Sequence, residues 1–279
     1  MLDGNRLILV EGVPGSGKST MAEWILAEMQ RTGLPGKLYA EGHPDHPADY
    51  EATAYFTPVA FEDICRRYPH AAARLRGLVE ERNGACFVPY LRAARAGEVS
   101  GELLEELGQN DVYELDSVPL HRRLIADRWQ SFVDRAVDRK DVTIFECCFL
   151  QNPLVVLLGK HNREDDAREQ VHQLADIIRP LKPVVVYLAP ADVRATLERA
   201  RQARPQGWVD FVSAYFSEQA WGKAHGLEGY EGMIQFHELR QKLDREILAD
   251  LELETHILEA PEQDWQAART QLRALLFDR

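Results

Sequence analysis

The chain has 279 residues, 45% of them hydrophobic, and its 33 Lys and Arg against 45 Asp and Glu leave a net charge of −12. That length and apolar share can bury a full core in one large domain, or one domain with an insertion, and exclude a disordered chain. The acidic balance argues against nucleic acid or an anionic membrane surface as partner, and no apolar run approaches the roughly 18 residues that a membrane-spanning helix needs.

The opening Met1 to Arg6 leads directly into a first apolar strand, Arg6 to Val10, which predicts no leader segment and a cytoplasmic protein. Directly after it comes Gly12-Val13-Pro14-Gly15-Ser16-Gly17-Lys18-Ser19-Thr20, which matches G-x-x-x-x-G-K-[ST] behind a strand and ahead of a helix. Glycines at 12, 15 and 17 let successive backbone N–H groups turn inward on an anion, where side chains would obstruct it. In such a loop Lys18 can reach the β- and γ-phosphates of a nucleotide, and the Ser19 hydroxyl can ligate Mg²⁺. Gly12, Pro14, Gly15, Ser16, Gly17, Lys18, Ser19 and Thr20 are therefore the expected nucleotide-binding residues. A helix from Thr20 to Gln30 adds the positive end of its dipole, and Trp24 within it belongs to the core on a pattern with Met21, Ile25 and Leu26.

After the Thr32 to Pro35 break, a second strand is expected from Gly36 to Glu41. The cluster His43-Pro44-Asp45-His46-Pro47 follows; without further Cys or His ligands it reads as acceptor recognition in preference to a metal site. Phe61 to Val137 shows helical spacing and few strand-like runs, too long for a connection, and is expected to be a helical insertion over the carboxyl ends of the strands. Arginine and aromatic pairs there, such as Tyr90 with Arg92 and Arg128 with Trp129, suit a planar or anionic acceptor. A third strand, Val142 to Phe145, ends at Glu146. Beyond Phe149, Gln151 or Asn152 is placed to hydrogen-bond a polar substrate. The four cysteines, Cys65, Cys86, Cys147 and Cys148, contain no C-x-x-C pair, so reduced thiols are expected and no zinc cluster. A fourth strand, Pro183 to Leu188, precedes the basic stretch that holds Arg194, Arg199, Arg201 and Arg204. A fifth, Glu254 to Leu258, precedes a terminal helix from about Glu262 to Leu276. Strands alternating with helices in this way predict an α/β fold with a five-stranded parallel sheet, continuous over residues 1–279.

Val10-Glu11-Gly12-x-x-Gly15-x-Gly17-Lys18-Ser19-Thr20 resembles the loop of thymidylate kinases and their P-loop kinase relatives, including deoxynucleoside kinases. The order of elements is similar to theirs as well. In that family the second strand ends in a Glu-Pro segment facing the acceptor, where this chain has Glu41-Gly42-His43-Pro44. The third ends in Asp-Arg or Glu-Arg, where this chain has Glu146-Cys147. The fourth leads into an arginine-bearing lid, here about residues 194–208. The resemblance implies a nucleoside- or nucleotide-kinase-like P-loop fold that uses ATP or another nucleoside triphosphate with Mg²⁺ to phosphorylate a small-molecule acceptor, first a nucleoside or nucleotide, then a sugar-like or antibiotic alcohol.

Phosphoryl transfer needs cations, a metal and an oriented acceptor more than covalent help. Lys18, Glu146, Glu41 and Arg201 are the catalytic candidates. Glu146 at its strand end can hold the Mg²⁺ shell together with Ser19, or take the acceptor's proton, and Glu41 is the other candidate base. Arg199, Arg201 and Arg204 can close on the β- and γ-phosphates. A nucleotide-hydrolysing switch, or a scaffold that holds nucleotide without turnover, is the alternative, and a homodimer is left open.

Overall fold

The computed structural model describes residues 4–278 apart from 96, 98 and 100. In chain order the elements are β1 (Leu7–Gly12), α1 (Lys18–Arg31), β2 (Gly36–Tyr39), β3 (Thr53–Phe56), α2 (Pro58–Arg67), α3 (Pro69–Leu78), β4 (Glu80–Arg82), β5 (Ala85–Pro89), α4 (Tyr90–Arg95), α5 (Glu102–Gln109) and α6 (Val118–Ala136). They continue with β6 (Val142–Glu146), α7 (Gln151–Pro153), α8 (Glu164–Ile178), β7 (Val184–Ala189), α9 (Val193–Gln202), α10 (Gln206–Ser217), α11 (Ala220–Ala224), α12 (Gly229–Asp250), β8 (Glu254–Glu259) and α13 (Trp265–Leu276). A π-helical turn, Leu154–Lys160, extends α7. The chain divides into two compact units, one made of the residues up to Glu41 with those from Trp129 on, the other of Gly42–Arg128.

The larger unit is built on a five-stranded parallel sheet in the order β2-β6-β1-β7-β8. Ile8 pairs with Ile144 on one side and Val184 on the other. Strands buried on both faces must be apolar throughout, which is why β1, β6 and β7 read as unbroken Leu, Ile, Val and Phe runs. Side chains alternate between faces. Ile8, Val10, Ile144 and Val186 pack with Met21, Ile25 and Met29 of α1 and with Leu272 and Leu276 of α13. On Phe145, Trp129 closes edge-on at 5.7 Å and Phe132 at 4.7 Å. All five strands point the same way, so Gly12, Glu146 and Ala189 finish together at the carboxyl end of the sheet, where ligands of open α/β folds bind.

Strand boundaries differ from expectation at the two ends that matter most. β1 runs on to Gly12, which pairs with Leu188. β2 stops at Tyr39, so Glu41 lies two residues past the ladder, in a turn and not on a strand.

The smaller unit holds the expected helices and adds strands to them. Alongside α2 to α5 it contains a three-stranded antiparallel sheet in the order β3-β5-β4. Asn83 and Gly84 both take positive φ, 50° and 73°, between β4 and β5, the geometry of a two-residue hairpin turn, for which Asn-Gly is the favoured pair. Helix α2 starts with Pro58 after Thr57, whose hydroxyl accepts the Ala60 N–H at 3.2 Å. The two layers share a core that includes Phe56, Phe61, Leu75, Val88 and Leu107. In the His43 to Pro47 stretch one ring nitrogen of each histidine serves the loop itself. His43 Nδ1 accepts the Asp45 N–H at 3.0 Å, and His46 Nδ1 accepts the Ala48 N–H at 3.2 Å. Burial pushes His46 down to about 4, so it is a neutral structural ring.

Candidate active site

The loop between β1 and α1 folds as its glycines require. Gly12, Gly15 and Gly17 have φ of 147°, 79° and 92°, values that strain any other residue. A Cβ on Gly12 would lie 2.7 Å from the Leu188 carbonyl oxygen, and one on Gly17 would collide with the Trp265 ring. Inside this turn Lys18 is only 5% exposed, and its ammonium donates to the Val13 carbonyl at 3.1 Å. The Ser16 hydroxyl is buried and has no hydrogen-bond partner. A buried cation on a carbonyl and an unmet hydroxyl, both at a helix N-terminus, are the donors an anion would satisfy.

Glu146 stands opposite. Ser19 Oγ donates to Glu146 Oε1 at 2.6 Å, and the backbone N–H of Glu41 approaches Glu146 Oε2 at 3.4 Å. Glu41 comes to the same place from its turn. Its Oε1 accepts Gln151 Nε2 at 2.7 Å and its Oε2 accepts the Cys147 thiol at 3.3 Å. Glu41, Glu146 and Cys147 each offer a ligand atom, all within 4.8 Å of one another. The hard oxygen donors of Ser19 and Glu146 fit Mg²⁺. Cys147 follows Glu146 directly. It is buried at φ 70°, and burial raises its thiol well above the ordinary range, against the opposing charge of Lys18. At neutral pH it is therefore a thiol, and a poor metal ligand.

A cavity of about 540 Å³ opens from Pro14, Gly15, Gly17, Lys18, Ser19 and Thr20, passes Glu41, Glu146 and Gln151, and reaches α10. Its far wall is aromatic. Trp208, Phe211, Val212, Tyr215 and Phe216 recur on one face of α10 and line it, and Phe211 is 65% exposed there. An unburied ring on a cavity wall offers its face to a flat ligand.

The basic stretch divides. Arg204 lines the cavity, its guanidinium 5.3 Å from the centre of the Trp208 ring. Arg199 donates to Thr196 Oγ1 at 3.0 Å, and Arg201 lies over the Tyr230 ring and 3.7 Å from Glu198. Those two hold to their own surroundings. Arg194 forms a two-pronged pair with Glu231 of α12, both contacts at 2.6 Å.

Sequence reasoning passed over a buried polar group below the loop. Glu11 Oε1 accepts the Phe149 N–H at 2.7 Å, and burial lifts its carboxyl from 4.5 to about 7 against the attraction of Arg240. Arg240 and Asp244 are also fully buried. His237 lines the cavity with both ring nitrogens unpaired, and burial, followed by the charges of Arg240 and Lys18, drives it well below 6.5, so the ring is neutral. The aromatic face of α10 is legible as an i, i+3, i+4, i+7, i+8 series. Arg240 and Asp244, four apart on a helix, have the spacing of an ordinary solvated pair.

The five-stranded parallel sheet with its helices, and the glycine loop after its central strand, define an α/β fold. No protein-family model matches the chain, and no curated protein matches it. Among solved structures it is similar to thymidylate kinase from Candida albicans, at 13% identity and a TM-score of 0.41, over 96% of this chain and 92% of that one. No helix among the described residues is long and apolar enough to cross a membrane.

Proposed function

We propose that this protein is a Mg²⁺-dependent phosphotransferase that moves the terminal phosphoryl group of ATP, or another nucleoside triphosphate, to a small polar acceptor, first a nucleoside or nucleotide. The observation that carries this reading is the 2.6 Å bond between Ser19 and Glu146 at the mouth of the glycine loop, inside a cavity that continues past two carboxylates to an aromatic wall. In this reading the loop N–H groups and Lys18 hold the β- and γ-phosphates, and Ser19 and Glu146 hold Mg²⁺, which supplies charge neutralisation as the phosphoryl group transfers. Glu41 or Glu146 takes the acceptor's proton. Arg204 is the arginine already at the cavity. Arg199 and Arg201 can reach phosphate by exchanging Thr196, Glu198 and Tyr230 for it, as closing lids do. The net charge of −12 favours a small-molecule partner over nucleic acid or an anionic membrane. Four buried free cysteines fit a reducing compartment such as the cytoplasm.

ADP release from Mg·ATP, measured against nucleosides, nucleoside monophosphates, sugars and aminoglycosides with Lys18→Ala as the blank, tests this directly. One compound should raise the rate well above its acceptor-free level. A flat panel over measurable hydrolysis would replace a kinase with a nucleotide-driven switch.

A further inference from the structure

Arg240 of α12 is fully buried, yet its guanidinium is not spent on its neighbour alone. Nη2 donates to the Gly12 carbonyl at 2.9 Å, and Nη1 donates to Gln151 Oε1 at 3.1 Å. Nε lies 3.4 Å from Asp244 Oδ2, which accepts the Tyr187 hydroxyl at 2.8 Å. The contact with Asp244 occupies only the Nε side of the guanidinium. The two terminal nitrogens instead engage the first glycine of the phosphate loop and an amide at the acceptor side, from a position 228 residues along the chain from Gly12.

The consequence for Gln151 follows from its chemistry. An amide has one accepting end and one donating end. With Oε1 held by a cation, the NH₂ faces away, and there it donates to Glu41 Oε1 at 2.7 Å. A carboxylate outside any strand is thereby held in one orientation, with its other oxygen on the Cys147 thiol. Lysine has one compact ammonium in place of a planar fork, so it would keep the charge opposite Asp244 and lose the simultaneous grip on Gly12 and Gln151.

We propose that Arg240 is a positioning residue: it ties the start of the phosphate loop to Gln151, and through Gln151 it sets the orientation of Glu41. What the positioned groups are for rests on the phosphotransferase reading above; the positioning itself does not.

The test uses the full chain, first without nucleotide, by hydrogen–deuterium exchange on wild type, Arg240→Lys and Gln151→Leu. Arg240→Lys should speed exchange about tenfold, the scale of one charge-assisted hydrogen bond, in peptides covering residues 11–17 and 147–153, with α8 and β8 unchanged. Gln151→Leu should speed exchange at 147–153 and around Glu41 and leave 11–17 as in wild type. Unchanged exchange at both segments in folded Arg240→Lys overturns the proposal, as does an equal rise throughout the sheet. Should Arg240→Lys fail to fold, Gln151→Leu decides: no change near Glu41 overturns the link. Steady-state ADP release then adds a readout that general loosening would not produce. Both variants should lower kcat about tenfold or more, the double variant no further than the worse single one, and only Arg240→Lys should raise the KM for Mg·ATP. Multiplying losses would overturn the shared pathway. Failure of the wild type to bind Mg·ATP would overturn the phosphotransferase reading and leave the exchange result to decide the positioning.

Discussion

Replacing Glu11 with glutamine isolates the cost of a carboxyl buried directly below the glycine loop. Glu11 is 1% exposed, and its Oε2 has no hydrogen-bond partner, while burial lifts the carboxyl from 4.5 to about 7. Below 4.5 the group is protonated in both folded and unfolded chains, and its contribution to stability is fully present. As pH rises from there the unfolded chain ionises first, and stability falls by up to about 1.4 kcal/mol per pH unit until the folded group ionises near 7. The loss totals about 3 kcal/mol. Glutamine can still accept the Phe149 N–H through its carbonyl oxygen, and it does not titrate. Urea unfolding of both proteins without nucleotide, from about pH 4.5 to about pH 8, gives the difference directly, and the remaining titrating groups largely cancel in it. The glutamine variant should gain on wild type steadily across that range, by about 3 kcal/mol at its top. A difference that stays flat with pH would refute the assignment of a strained, desolvated carboxyl to Glu11.

Three further outcomes are expected. Glu146→Gln keeps the shape of the site but weakens the acceptor for Ser19 and removes a hard metal ligand, so ADP release should fall about a hundredfold, with Mg·ATP affinity by calorimetry changed much less; equal losses in both would make Glu146 a binding residue only. Gly17→Ala combines a φ of 92° with a collision against Trp265, and should abolish Mg·ATP binding and lower the melting temperature; tight binding by that variant would show that the loop tolerates a side chain at its tightest point. Gly84→Ala has open space around the added methyl and pays only for its φ of 73°, about 1 kcal/mol, so thermal melting should show a small loss and ADP release none.

Much of this architecture is legible because it is local. Five apolar runs separated by helical patterns are the five strands of the sheet, found within a few residues of where they are expected. The glycine loop is legible because backbone sterics strongly favour glycine at positions 12, 15 and 17. The hairpin between β4 and β5 carries a local signal in Asn83-Gly84, a favoured turn pair, but Glu80–Arg82 is too short and too charged to read as a strand. Glu41 was expected at a strand end and lies beyond one, yet it still comes to Glu146, because Gln151 and Cys147 hold its two oxygens.

What the sequence determined by itself is the set of five strands and the glycine loop, both set by short-range backbone geometry; the meeting of Ser19 with Glu146, 127 residues away, depends on β6 lying beside β1 in the sheet. Only the tertiary structure decided that Arg204 meets the cavity while Arg199 and Arg201 stay with their own neighbours, that α10 turns an aromatic face to the loop, and that Arg240 lies beneath it. Periodicity reports which face of a helix is apolar. Whether a charged side chain on that helix ends in water or in the core depends on what packs against it, and for Arg240 those groups are Gly12 and Gln151, far away along the chain.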